Sequence, residues 1–227
     1  MLILFDIDMT LVQTRGAGIE ALEAAGRELF TPAFDAESIA YGGRIDPVIF
    51  AELLEVNRVP VSHKNVELLQ ERYAARLPVL LPGRAEAMPG AVELVDAVTC
   101  SSAMSGVLTG NVEPTGTAKL EAAGFEVGHF RVRVWGNDSP HDPPERDHLP
   151  PVALDRYRDL TGKAIDAGSA TIVGDTVHDV ACAKAHGLRC LAVATGKWGG
   201  NDLAEAGADL VVDDLTDTAR LADWLLR

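Results

Sequence analysis

The pentapeptide Asp6-Ile7-Asp8-Met9-Thr10 places two carboxylates two residues apart, directly after the apolar run Leu2-Ile3-Leu4-Phe5. At that spacing they can present different faces of one turn to a single reacting group. Phosphoryl transfer needs an in-line nucleophile, an acid for the leaving alkoxide and cations for the phosphoryl oxygens. Asp6 suits the nucleophile, forming an aspartyl phosphate. Asp8 suits the general acid, and then the base that activates water. Two solvated carboxylates in a strand-to-helix turn also satisfy this short motif taken alone. A second acidic pair, Asp175 and Asp179 in Gly174-Asp175-Thr176-Val177-His178-Asp179, follows another apolar run. One helical turn apart, these carboxylates share a face and can hold a hard cation such as Mg²⁺, which takes oxygen ligands and keeps several waters. Acids at a helix N-terminus are also favoured by the macrodipole, so this pair too has a purely structural reading. Thr109-Gly110-Asn111 offers a hydroxyl and backbone amides, both suited to phosphate oxygens, or else an ordinary capped turn.

These turns need elements that bring them together. Short apolar runs at Leu2–Phe5, Met104–Leu108, Val132–Trp135, Thr171–Val173, Cys190–Val193 and Leu210–Val212 are each followed by a polar or glycine turn. Continuous apolar runs separated by helical patterns predict a parallel sheet buried on both faces. In open α/β sheets, ligands gather at the carboxyl ends of strands, where Asp6, Thr109 and Asp175 fall. The stretch 14–87 breaks the alternation. It holds helical patterns at Gly18–Leu29, Asp46–Val56 and Ser62–Leu77 and no convincing strand, which predicts an all-helical insert placed over the site. The expected division is a core of residues 1–13 and 88–227 with a cap of residues 14–87. Pro78, Pro82, Gly83, Pro89 and Gly90 would form the return linker. Residues 137–151, with five prolines and the histidines His141 and His148, read as a loop without secondary structure of its own.

Taken in order, DIDMT, a helical insert, LTGN and VGDTVHD resemble the haloacid dehalogenase-like hydrolase superfamily over nearly the whole chain. The order and intervals are similar to helical-cap members such as phosphoglycolate phosphatases. The resemblance implies a Rossmann-like α/β core and Mg²⁺-dependent hydrolysis of a small anionic phosphomonoester, with phosphoglycolate-like compounds as the first substrates to consider. It also implies Mg²⁺ held by the carboxylates of Asp6 and Asp175, the backbone carbonyl of Asp8 and, directly or through water, Asp179. Met9 stands where the family commonly has glycine. The acid Asp8, which the true dehalogenases lack, is present and favours a phosphate substrate. No Lys-Pro dipeptide supplies the basic residue expected before the last motif. Arg146, 29 residues before Asp175, occupies the comparable place and can clamp phosphate bidentately. Lys119, eight residues after Asn111, is the other candidate; its structural reading is a solvent-exposed helix residue. Arg44, in Gly42-Gly43-Arg44-Ile45-Asp46, is expected to set substrate specificity, or to be a surface residue beside Asp46 as a helix N-cap. Gly16-Ala17-Gly18 resembles the hinge into the cap. The alternatives within this reading are a sugar-phosphate mutase and a non-catalytic phosphate- or Mg²⁺-binding module of the same fold.

Composition bounds the partners. Twenty Lys and Arg against 34 Asp and Glu give a formal charge of −14, which argues against nucleic acid and anionic membrane surfaces. A small phosphorylated metabolite is still compatible, because a bound cation locally overrides the net charge. No apolar run approaches the ~18 residues of a membrane span. Three cysteines, Cys100, Cys182 and Cys190, without CxxC spacing, read as small buried residues in a cytoplasmic protein. Oligomeric state is not legible. Trp135, Trp198 and Trp224 read as packing residues.

Overall fold

The first apolar run forms β1 (Leu2–Phe5), and all four of its side chains are fully buried. The computed structural model describes residues 1–227 and places β1 inside a six-stranded sheet. Strand alternation divides the interior in two. Ile3 and Phe5 pack into one core and Leu2 and Leu4 into the other, so both sheet faces are covered.

The chain leaves β1 through a tight turn into β2 (Val12–Gln13) and then enters three helices: α1 (Ala17–Leu29), α2 (Asp46–Val56) and α3 (His63–Leu80). In α1 the buried positions Ala17, Ala21, Leu22 and Ala25 recur at helical spacing. In α3 the stripe Leu69, Tyr73 and Leu77 is buried, and Ser62 caps the helix by accepting from the Asn65 amide at 3.3 Å. The chain returns through β3 (Glu86–Ala87), antiparallel to β2. This ribbon corrects the expectation of a strand-free insert: both linkers of the cap are tied together at its base. Two residues per strand show no period, so nothing marked them in the sequence. Pro78, expected in the return linker, lies inside α3.

The core continues as α4 (Ala91–Thr99), β4 (Met104–Leu108), α5 (Glu113–Ala122), β5 (Val132–Val134), α6 (Leu149–Thr161), β6 (Ala170–Gly174), α7 (Val177–Ala185), β7 (Arg189–Val193), α8 (Gly200–Glu205), β8 (Leu210–Val212) and α9 (Thr218–Leu225). The strand order is β5-β4-β1-β6-β7-β8, with every adjacent pair parallel. The architecture is therefore an α/β core with a helical region inserted after β2. One of the two hydrophobic cores runs from Phe5 through Leu22 into Leu53, Leu69 and Leu77, so the insert shares its packing with the sheet.

Residues 137–151 differ from the expected loop. Gly136–Asp138 and Arg146–His148 form 3-10 turns, and α6 starts at Leu149 with Pro150 in its first turn, a position where no amide is missed. Cys182 and Cys190 are buried as expected, whereas Cys100, just past the end of α4, is exposed. No helix is long and apolar enough to cross a membrane.

Candidate active site

The carboxyl ends of β1, β4 and β6 open into one cavity of about 410 Å³, roofed by α1, α2 and α3. Asp6 follows β1 directly, and its amide donates to the Val173 carbonyl of β6 at 2.9 Å, so the neighbouring strand holds the first carboxylate in place. The next residues fold back on themselves, with the amides of Leu11 and Val12 both donating to the Ile7 carbonyl at 2.9 Å. Met9 has φ +61° within this turn. A left-handed backbone costs a side-chain-bearing residue roughly 1–2 kcal/mol, which gives a physical reason for glycine there. The Met9 carbonyl is retained by the Thr195 hydroxyl at 2.5 Å.

Asp175 and Asp179 meet Asp6 from the other side. Thr176 opens α7 with a reciprocal cap: its hydroxyl accepts from the Asp179 amide at 3.1 Å, and Asp179 accepts from the Thr176 amide at 3.1 Å. This holds the Asp179 carboxylate inward and fully buried. Glycines make room for the cluster. A Cβ on Gly196 would lie 1.8 Å from Asp175 Oδ2, and one on Gly174 would lie 2.3 Å from the Asp179 carboxyl carbon. Thr10 donates to Asp175 at 3.3 Å. Carboxylate oxygens of Asp6, Asp175 and Asp179 all lie within 4.8 Å of one another.

Electrostatics follow from that crowding. Burial pushes Asp6 up to about 6, opposed by Arg146 and reinforced by Asp179 and Asp8. Burial also pushes Asp175 up to about 9, with Asp179 and Asp6 adding to it. Arg146 is the one cation bonded within the cluster, its Nη2 3.1 Å from Asp6 and 2.5 Å from Asp179. Three buried carboxylates around one guanidinium leave negative charge uncompensated, and an all-oxygen donor set of this kind fits a hard divalent cation such as Mg²⁺.

Both basic candidates reach the cavity, but they hold different carboxylates. Arg146 is buried beside Asp6 and Asp179, and its Nε is enclosed without a hydrogen-bond partner. Lys119 is buried as well, correcting its reading as solvent-exposed. Its Nζ donates to both oxygens of Asp8 at 2.7 Å and to the Asn111 side-chain oxygen at 2.6 Å. Burial works against the Lys119 charge, but Asp8, Tyr73 and Asp46 together raise its pKa. Asn111 donates to Asp8 at 2.7 Å and to the Thr109 hydroxyl at 2.9 Å, so the Thr109–Asn111 turn and Asp8 form one network.

The remaining expectations divide. Arg44 lines the cavity, yet its guanidinium is bonded to Glu52 and to the Ala40 carbonyl. Asp46 is not the N-cap of α2, which is Ile45. Its half-buried carboxylate instead accepts from the Val112 amide at 2.9 Å, where α5 begins without a side-chain cap of its own. Gly110 is bound to the insert, since a Cβ there would lie 2.0 Å from the Arg44 carbonyl oxygen, and its own carbonyl accepts from Asp46 at 2.8 Å. Tyr73 and Tyr41 also line the cavity and were not singled out from the sequence, and Trp198, read there as a packing residue, lines it too. Their contacts join elements far apart in the chain, and only the glycine turn before Trp198 marked that region.

Residues 3–193 match the family described as Haloacid dehalogenase-like hydrolase. The protein named Probable phosphatase IndB from Dickeya dadantii is 29% identical over 229 residues, covering 100% of this chain and 95% of that protein. A phosphoglycolate phosphatase from Pseudomonas syringae pv. tomato is 29% identical over 223 residues, covering 94% and 76%. Among solved structures, a hydrolase from Pseudomonas syringae superposes with a TM-score of 0.72 at 20% identity, with 98% of each chain covered. CbbY from Rhodobacter sphaeroides, in complex with xylulose-1,5-bisphosphate, gives 0.73 at 19% identity, with 95% of each covered.

Proposed function

Because the chain belongs to the haloacid dehalogenase-like hydrolase family, as a phosphatase-like member, we propose that it hydrolyses a small phosphomonoester through an aspartyl phosphate on Asp6. Asp6 attacks phosphorus as the bond to the leaving oxygen breaks, and Asp8 gives that oxygen its proton. Asp8 then takes a proton from the water that attacks the phosphorus, releasing phosphate and restoring Asp6. Lys119 and Asn111 hold the Asp8 carboxylate in register beside Asp6. Arg146 orients Asp6 and brings its guanidinium charge to the phosphoryl group, while Thr109 and the backbone of Gly110 hold phosphoryl oxygens. The carboxylates of Asp6 and Asp175 and the Asp8 carbonyl, with Asp179 directly or through water, would hold Mg²⁺, which would supply charge neutralisation at the phosphoryl group. Residues 14–87 act as the cap, excluding bulk water while the phosphoryl group is on Asp6.

The observation that carries this reading is the meeting of Asp6, Asp175 and Asp179 with Arg146 at one sheet edge, inside a cavity that also exposes Asp8. The test is phosphate release from an aryl phosphate with Mg²⁺. Wild type should turn over, EDTA should stop it, and Asp6→Asn should lower kcat by at least about a thousandfold. Phosphate release by Asp6→Asn at the wild-type rate would remove Asp6 as nucleophile. Phosphoryl return to a sugar phosphate without phosphate release would favour a mutase.

A further inference from the structure

The cavity extends well beyond the volume that the phosphoryl group needs, and the cations on its cap side are already paired. About 410 Å³ falls within the ~300–1,000 Å³ of pockets that enclose drug-sized ligands, more than a two-carbon acid fills. The wall contributed by the cap and the β1 turn includes an apolar patch of Ile19, Leu22, Ile49 and Met9. The cations there already have partners. Arg44 is held by Glu52, and Arg15 by Glu86 at 2.6 Å. The half-buried carboxylate of Asp46 adds negative charge on the same side. A substrate carboxylate directed into the cap would meet this charge with no free guanidinium to pair with. Lys197, the remaining cation in the lining, is exposed on the loop after β7, away from the apolar wall of the cap.

One polar group on this side is left without a partner. Tyr73 lies in the buried stripe of α3 and is only 3% exposed, yet its hydroxyl makes no hydrogen bond within the protein. The ring is braced edge-on by Phe50 at 6.0 Å, and the hydroxyl faces Gly18 at the start of α1, where an added Cβ would lie 3.4 Å from it. Lys119, Asp46 and Asp8 are its charged neighbours, so the hydroxyl sits where the apolar wall gives way to the reacting centre. The hydroxyl opens onto the cavity, so a bound molecule can supply the partner that the protein does not.

We infer that the substrate's leaving group is uncharged, larger than glycolate and mainly apolar, with one hydroxyl or ether oxygen bonded to Tyr73. This deepens the phosphatase reading, on which it rests for the bond that is broken. The preference itself is a binding property and can be read without turnover. The probes are 2-phosphoglycolate, cyclohexyl phosphate and the set of 2-, 3- and 4-hydroxycyclohexyl phosphates. With wild type and Mg²⁺, kcat/KM for the best hydroxycyclohexyl ester should exceed that for 2-phosphoglycolate at least tenfold. In Tyr73→Phe the ratio of that ester to cyclohexyl phosphate should fall about tenfold, a ratio that a general loss of folded enzyme cannot move. Binding of the same compounds to Asp6→Asn, by calorimetry, should keep the wild-type order. If no ester is hydrolysed but this order of binding holds, the phosphatase reading fails and the leaving-group inference stands. Tighter binding or faster turnover of 2-phosphoglycolate, an unchanged ratio in Tyr73→Phe, or no binding of the ring esters at millimolar concentration would overturn it.

Discussion

Arg146 and Lys119 are both buried cations, but their partners differ in how much water they keep. Arg146 lies between Asp6 and Asp179, with all three side chains less than one-tenth exposed. Removing one member of such a buried set leaves uncompensated charge at a cost of about 3–5 kcal/mol. Lys119 pairs with Asp8, whose side chain is 44% exposed, so that carboxylate can rehydrate when its partner is lost. In EDTA, Arg146→Met should therefore lower the denaturant midpoint more than Lys119→Met. An equal or larger loss in Lys119→Met would contradict the assignment of Arg146 to the charge balance of the carboxylate cluster. The two cations thus hold different carboxylates, Lys119 that of Asp8 and Arg146 those of Asp6 and Asp179.

At the scale of elements, the insert is seated on the core by polar contacts as well as apolar ones. The first residue of α2, Asp46, caps α5 across the interface, and its amide donates to Gly110. Nearby, the loop Gly42-Gly43 approaches the core closely. Added Cβ atoms would lie 2.9 Å from the Trp198 ring and 2.4 Å from the His178 ring. Gly43 also has φ +73°, a conformation that side chains disfavour. Gly43→Ala should keep the cap from seating, lowering kcat/KM about tenfold while the stabilisation by Mg²⁺ persists. Steady-state phosphate release and thermal melts with and without Mg²⁺ would check this; a kcat/KM within twofold of wild type would show that seating does not depend on that contact.

The whole molecule carries a formal charge of −14, and the site adds buried carboxylates to that burden. Asp6 is held at about 6 and Asp175 at about 9, both above the ordinary value near 3.8. Between about pH 4 and 9 the folded chain thus retains protons that the unfolded chain has released. By linkage, this contribution to stability is complete below pH 4 and is lost as pH rises through 6 and then 9. A divalent cation at the cluster replaces those protons and should flatten the dependence. In EDTA the Tm should fall between pH 6 and pH 9, and Mg²⁺ should raise it most at the alkaline end. Parallel curves with and without Mg²⁺ would show that the cluster does not hold the ion.

The parallel sheet, the helical insert and the three motif-bearing turns were legible in the sequence because each depends on local pattern. Continuous apolar runs mark strands buried on both faces, and polar turns at their ends mark a sheet edge. The family resemblance rests on the same ordered turns. What the fold alone decided are relations between residues distant in the chain. Lys119 reads as an exposed helix position, and becomes a buried partner of Asp8 across 111 residues. Asp46 reads as a cap for its own helix, and caps another. Arg44 reads as a specificity residue or a surface residue, and is held by Glu52 at the cavity wall. Tyr73 was not singled out in the sequence, and only the packing of α3 on the core brings its hydroxyl, without a partner, to the cavity. Periodicity reports which face of an element is buried, whereas charge pairing and cavity lining depend on the distances between elements that packing sets.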